Sequence, residues 1–208
     1  MKMIKKGKGF LGLAAKVGMG LLVAVAIGGC GGSYDDSVST AEYVPFDAPP
    51  IDEGTKAVYL NAINATRAEG ADCGSEGYFP PAGPLEWSDS LYRAAYEHSQ
   101  DMAISGRFDH SGSGTESDWT ANVLDKERST LGIRILNNSR GKLPGGTENI
   151  YASGGMPSPV DSAIAGWNHS DPHCAALHGK EFTKVGLAHV YKGDSPSAYT
   201  DYWTMDIF

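Results

Sequence analysis

The chain has 208 residues, of which 41% are hydrophobic and 20% charged, a balance typical of one globular domain and not of a disordered or collagen-like chain. The formal net charge is −8. Residues 1–29 hold five lysines and no acid, so the remainder has 12 basic against 25 acidic residues. An acidic body of this kind argues against nucleic acid or anionic lipid headgroups as the main partner. We expect a monomer.

Residues 1–29 have the pattern of a bacterial export signal of the lipoprotein type. Four lysines come before residue 9, and an apolar run from Leu21 to Ile27 follows. The run ends in Ile27-Gly28-Gly29-Cys30, which is similar to a lipobox, so Cys30 is the predicted lipidation site. Lipid chains on this thiol would hold the protein stably on a bilayer. The alternative is plain secretion with a cut near Gly29.

The segment after Cys30 predicts a flexible tether over 30–52, because it is rich in Gly, Ser, Asp and Pro and shows no periodicity. The folded domain is expected to span 53–208. Gly31 supplies no Asp-type signal for retention at an inner membrane. We therefore expect an exported, extracytoplasmic domain on the cell envelope, at the outer membrane if two membranes exist.

Helical spacing of apolar residues predicts the first two helices of this domain. The first is expected over Glu53 to Glu69, with Gly70 ending it. The second begins after Ser88, a good N-cap, and closes at Gly106. His98 falls on the apolar face of this second helix, which predicts a core histidine.

The later elements are a mixture of helices and strands. A helix is expected from Trp119 to Leu131, another after Ser158 as N-cap, and a short one from Asp171. Apolar alternation over 185–191 and 203–207 predicts two paired strands. The order predicts an α+β fold, in which helices cover a small antiparallel sheet.

With Cys30 assigned to lipid, Cys73 and Cys174 remain as a pair in an oxidising compartment. A disulfide between them is the simplest outcome, and two free thiols are the alternative. A zinc site built on them is not expected, because no second cysteine lies nearby at a ligand spacing.

His110, Glu148 and His173 each sit where a loop meets a helix or strand, the places where functional residues collect. Two imidazoles and a carboxylate suit a divalent metal, with zinc favoured, or general acid and base chemistry. Their spacing matches no known ligand pattern, so it does not choose between these roles. No Gly-x-Ser-x-Gly turn supports a serine hydrolase.

Several short runs, in this order, resemble one family. They are Phe108-Asp109-His110-Ser111-Gly112, Glu148-Asn149-Ile150, Pro172-His173-Cys174 and Tyr202-Trp203-Thr204. Together with the helix before them they are similar to the bacterial branch of the CAP superfamily, the SCP-like extracellular proteins related to cysteine-rich secretory proteins, antigen 5 and plant PR-1. The resemblance covers about residues 55–208.

The resemblance implies an α-β-α sandwich with a central cleft. His110 and His173 would be the cleft histidines and Glu148 one cleft acid. Animal and plant members carry a second cleft glutamate where this chain has Ser170, and the neighbouring Asp171 is the acid that could replace it. The family also supports the Cys73–Cys174 bridge.

Two functions follow from this cleft. The first is a non-enzymatic module on the envelope that binds a small apolar ligand, such as a sterol or lipid, or an extracellular partner. The alternative is a zinc-dependent hydrolase with His110, Glu148 and His173 as ligands and water in the fourth position. The third possibility is that these polar residues only brace the loops and bind no ligand. No residue is assigned as catalytic.

Overall fold

The computed structural model describes residues 42–208. The predicted signal peptide, the lipidation site Cys30 and the tether up to residue 41 lie outside the described residues. Among residues 42–208, no helix is both long and apolar enough to cross a membrane.

Two long helices lie where the sequence predicts them. Helix α1 spans Glu53–Glu69. Helix α2 spans Asp89–Ser105, and the backbone N–H of Leu91 donates to the Oγ of its N-cap Ser88. Between them lie three two-residue strands, β1 (Ala71–Asp72), β2 (Tyr78–Phe79) and β3 (Glu86–Trp87).

The single helix predicted from Trp119 to Leu131 is wrong. Two shorter helices replace it, α3 over Trp119–Val123 and α4 over Leu131–Asn138. Asp125 adopts a left-handed backbone with φ 51°, which a helix interior does not accommodate. Thr130 then caps the new helix by accepting from the backbone N–H of Ile133.

Three further strands join β3 in a four-stranded sheet, and two helices lie between them in the chain. These elements are β4 (Thr147–Ser153), α5 (Val160–Asn168), α6 (Asp171–His178), β5 (Lys184–Tyr191) and β6 (Asp201–Ile207). The strand order is β3-β5-β6-β4. The predicted β5–β6 hairpin is confirmed as an antiparallel pair, β4 is antiparallel to β6, and only the short β3 runs parallel to its neighbour.

Helix α5 begins one residue later than predicted, because its N-cap is Pro159 and not Ser158. Ser158 does not cap the helix, because its hydroxyl donates to the carboxylate of Asp201. Pro159 occupies the N-cap position, with no side-chain hydrogen bond to the helix. The side chain thus serves the sheet and not the helix.

Helices cover both faces of the sheet, so the predicted α+β sandwich is confirmed. Ile63 of α1, Trp167 of α5 and Leu177 of α6 form the larger core with strand residues Val185, Leu187, Trp203, Met205 and Ile207. Helix α2 lies so close to the other face that a Cβ on Gly186 would come within 2.0 Å of a backbone nitrogen of α2. All these core contacts lie within 42–208, so this part of the chain holds the core it needs to fold.

The end of the predicted tether is bound to the domain. The side-chain amide of Asn137 bonds both the backbone N–H and the carbonyl of Val44, at 2.8 Å each. The ring of Phe46 stacks on Tyr96, and the backbone N–H of Phe46 donates to Asn138. The structure therefore corrects the prediction for 42–52: backbone groups of this segment find side-chain partners on α4, so it is not free.

Candidate functional site

Glu148 lies at the centre of a buried polar cluster on the α2 side of the sheet. Its side chain is 1% exposed, and Arg134 of α4, equally buried, donates to its Oε2 at 2.7 Å. His110 Nδ1 lies 2.9 Å from Oε1. Burial by itself would raise the pKa of Glu148, but the charge of Arg134 and these hydrogen bonds hold that pKa well below its usual range.

The rings of His110 and His173 lie side by side. The ring centroids of His110 and His173 are 6.1 Å apart. Because a carboxylate only accepts, His110 Nδ1 carries the proton that it shares with Glu148. This hydrogen bond raises the pKa of His110, whereas burial and then the charge of His110 lower the pKa of His173.

Each of these rings uses Nδ1 for an orienting contact. His173 Nδ1 lies 2.8 Å from the Oγ of Ser170, the residue that replaces the second glutamate of animal and plant relatives. Asn149 holds the backbone of the same segment by donating to the His173 carbonyl at 2.8 Å. Within residues 42–208, neither Nε2 atom has a hydrogen-bond partner, so both are free to accept a ligand.

A third histidine, His98, lies beside Glu148 in this cluster. His98 is buried, as predicted, and its Nε2 donates to the carbonyl of Asp109 at 2.9 Å. Burial, and then the charge of Arg134, lower the pKa of His98 to about 4. A neutral His98 beside Glu148, 3.8 Å away, adds packing and shape but no charge.

Asp206 is a second buried acid in direct register with Glu148. The two are paired across β4 and β6, and both are almost inaccessible to water. Burial, and then the charge of Glu148, raise the pKa of Asp206 well above its usual range. Two adjacent carboxylates cannot both ionise here, so Asp206 is the neutral member and Glu148 the charged one.

Asp171 is placed differently from the other site residues named above. Its Oδ2 accepts from the backbone N–H and the hydroxyl of Ser75, at 2.8 and 2.7 Å. The carboxylate thus braces the loop after β1. Its neighbour Ser170, and not Asp171, orients a cleft histidine.

The predicted disulfide is present between Cys73 and Cys174, whose Cα atoms are 5.5 Å apart. It joins the loop after β1 to the first turn of α6. Because His173 precedes Cys174, the bridge also fixes one wall of the cleft.

The residues do not fit the three-ligand zinc site proposed from the sequence. Both oxygens of Glu148 are engaged, one by His110 and one by Arg134. Among residues 42–208, no group of three or more His, Cys, Asp or Glu side chains is arranged to hold a metal ion. Glu148 instead orients His110 from behind, the position that an outer partner of a ligand takes.

Sequence reasoning did not identify three contributors to this site, namely Arg134, Asp206 and Ser170 as an orienting group. Arg134 lies in a helix that was not predicted. Asp206 falls on a polar position of the apolar alternation in β6, a pattern that by itself gives no sign of a buried acid. Only the strand register shows that it faces Glu148.

The fold and the cleft define an α-β-α protein with two histidines over one buried acid. The model of the cysteine-rich secretory protein family, CAP, matches residues 60–207. This match covers most of the chain, and the chain belongs to that family.

Solved structures show related folds at low identity. An extracellular protein with an SCP domain from Bacillus anthracis is 21% identical with a TM-score of 0.49, covering 77% of this chain and 45% of its own. An outer surface protein from Borrelia burgdorferi is 16% identical, with a TM-score of 0.48 and coverages of 76% and 95%. NaASP2 with Zn²⁺ is 11% identical, with a TM-score of 0.43 and coverages of 78% and 83%.

This chain therefore spans less than half of the Bacillus anthracis protein. No curated protein matches it.

Proposed function

We propose that the chain is an exported, non-enzymatic binding module, held on the cell envelope by lipid on Cys30, that takes a small apolar ligand. Membership of a secretory family and a disulfide, which persists in oxidising compartments, support export. The histidine cleft is charged and polar, so we place the apolar ligand elsewhere on the domain.

A cavity of about 610 Å³ between α1 and α5 is the observation that carries this proposal. That size lies within the range of small-molecule sites. Its apolar lining comes from Val58, Tyr59, Ala62, Val160 and Trp203, and polar side chains including Asp161 and His189 complete it. Val58 is 56% exposed, so an apolar side chain at the cavity wall is left in water. A lipid acyl chain would cover it.

A charge placed in this cavity is expected to abolish acyl-chain binding. Val58→Glu should weaken the binding of a fluorescent long-chain fatty acid at least tenfold in a fluorescence titration, because the ligand would bury an unpaired carboxylate. Ala65→Glu is the matched control, since Ala65 is exposed on the same helix outside the cavity, and we expect less than a twofold change. Wild-type protein that binds no fatty acid, or equal affinity in Val58→Glu, would contradict the proposal.

A divalent cation held by His110 and His173 is the second candidate. The observation that favours it is that both Nδ1 atoms have orienting partners while both Nε2 atoms stay open, which is how ligating histidines are arranged. Two imidazoles would leave the other positions to water. Arg134 binds the carboxylate of Glu148 and holds its pKa below its usual range, which makes Glu148 a poor base, so the geometry supports binding better than hydrolysis.

Zinc titration by calorimetry tests the two-imidazole site. We expect one equivalent to bind the wild-type protein and His173→Ala to weaken binding at least tenfold, because half of the protein ligands are lost. His169→Ala is the control, since His169 is exposed and bonds the carbonyl of Ala165. Equal zinc binding by the His173→Ala and His169→Ala variants would exclude this site.

A further inference from the structure

Three cationic residues line a second cavity, none of which belongs to the histidine cluster described above. Between residues 42 and 208 the chain has twelve Lys and Arg residues in an excess of acid. Arg93 of α2 and Arg140 and Lys142, just after α4, line one cavity of about 470 Å³. Arg93 and Lys142 lie 49 positions apart in the sequence, so only the packing of α2 against α4 brings them together.

The protein balances the positive charge of this cavity only in part. In the described part of the chain, the Lys and Arg ion pairs within 4.0 Å involve Lys56, Arg107, Arg134 and Lys192. Asp47 is the one acid that lines the cavity, and it forms none of these pairs. Three cations facing one acid repel one another unless an anion is added.

Arg93 is held in place for such a role. Its Nη2 donates to the Oγ of Ser90 at 3.2 Å and to the carbonyl of Asn138 at 3.0 Å. These two bonds fix the plane of the guanidinium at the cavity wall. A planar group fixed in this way is well suited to bind the oxygens of a phosphate.

Arg140 occupies a backbone position that arginine seldom takes. Its φ of 53° lies in the left-handed region, at the end of α4. Such a position is strained for a residue with a Cβ. The carbonyls at a helix C-terminus attract cations, which explains a basic residue near this end but not the shared cavity with Arg93 from another helix.

We propose that this cavity binds the phosphate of an anionic lipid headgroup. The cations Arg93, Arg140 and Lys142 would contact its oxygens, and Ser90 and Ser139 also line the cavity. The long-range repulsion of the acidic body would restrict contact with an anionic surface to this one place.

The path of the chain favours a headgroup over a free phosphate ion. Pro45, Phe46 and Asp47 form one wall of the cavity, so the segment that leads from Cys30 to the domain passes beside it. Eleven residues separate Cys30 from Glu42, and a fully extended chain of that length spans at most about 40 Å. This step rests on the lipid anchor of the proposed function, whereas the phosphate site itself does not.

The test uses soluble protein beginning at Thr40, which retains the whole compact unit. Inorganic phosphate is titrated by calorimetry, and vesicles with and without phosphatidylglycerol in phosphatidylcholine are used in flotation. The double variant R140Q/K142Q is expected to lower phosphate affinity at least tenfold and to abolish flotation with the anionic vesicles. The control K126Q/R128Q removes the same charge from exposed positions outside the cavity and is expected to change either reading less than twofold.

Each outcome has one reading. If R140Q/K142Q alone loses both phosphate affinity and flotation, the result supports the headgroup site. If R140Q/K142Q loses phosphate affinity but the wild-type protein does not float with anionic vesicles, the result supports the site with free phosphate as its ligand. Equal losses in both double variants indicate charge without a site and overturn the proposal. Wild-type protein that binds neither probe overturns it as well, and a fall in thermal stability of R140Q/K142Q would then identify the cations as helix-end stabilisers. None of these results depends on fatty acid binding at Val58.

Discussion

Glu148→Gln is expected to lower the free energy of unfolding by about 3–5 kcal/mol at pH 7, the usual cost of removing one partner of a buried ion pair. The substitution keeps the shape of the side chain but leaves the guanidinium of Arg134 buried without its carboxylate. His110 loses the acceptor for its Nδ1 proton at the same time. Urea denaturation followed by circular dichroism measures the change.

Asp206→Asn is the matched control, because it makes the same change from carboxyl to amide on the paired residue. Asp206 is neutral in the folded protein, so we expect no comparable loss. Its pKa is raised on folding, so above its ordinary pKa the unfolded chain releases a proton that the folded chain retains. Stability from this group therefore falls as pH rises.

The direction of this pH dependence provides a second measurement for the Asp206→Asn control. The amide of the Asp206→Asn variant cannot ionise, so the stability of this variant relative to the wild type is expected to improve as the pH rises above the ordinary pKa of an aspartate. If Asp206→Asn instead loses as much stability as Glu148→Gln at pH 7, then Asp206 is the ionised acid and the assignment of charges in the cleft is reversed.

Removing the disulfide is expected to have an effect of similar size. The bond between Cys73 and Cys174 closes a loop with a sequence separation of 101 residues. In the chain-entropy model, opening such a loop costs about 4–5 kcal/mol. The Cys73→Ser/Cys174→Ser variant should lose that amount in urea denaturation.

Reductant supplies the control for this second prediction. It should destabilise the wild-type protein toward the level of the serine variant and leave the variant itself unchanged. A loss below about 1 kcal/mol in both comparisons would mean that the folded domain does not depend on the cross-link. Because Cys174 follows His173, we also expect weaker zinc binding by the serine variant.

Some of the fold follows from local sequence signals. Asp52 and Ser88 cap α1 and α2, and Gly70 and Gly106 follow their last residues, so both helices could be predicted with their ends. The helix predicted from Trp119 failed because the chain turns out of the helix at the left-handed Asp125, where the backbone N–H of Lys126 donates to the carbonyl of Ala121 at 2.8 Å. Local preference does not report such a position.

Backbone groups near the N-terminal edge of the domain show the same limit. The composition of residues 42–52 predicts a free tether, since Pro and Asp disfavour regular structure. What binds this segment is a pair of amide side chains, Asn137 and Asn138, more than 90 positions away. No local sequence pattern indicates that these two side chains bind the segment.

The sequence by itself determined the family and the cysteine pair, and it predicted His110, His173 and Glu148 as candidate site residues, because motifs and helix-end signals are local properties of a chain. Only the tertiary structure decided that Glu148 is held by Arg134 and orients His110, that Asp206 is its neutral neighbour, and that Arg93, Arg140 and Lys142 share a cavity. Charge states and charge clusters depend on burial and distance, and both arise when distant segments pack together.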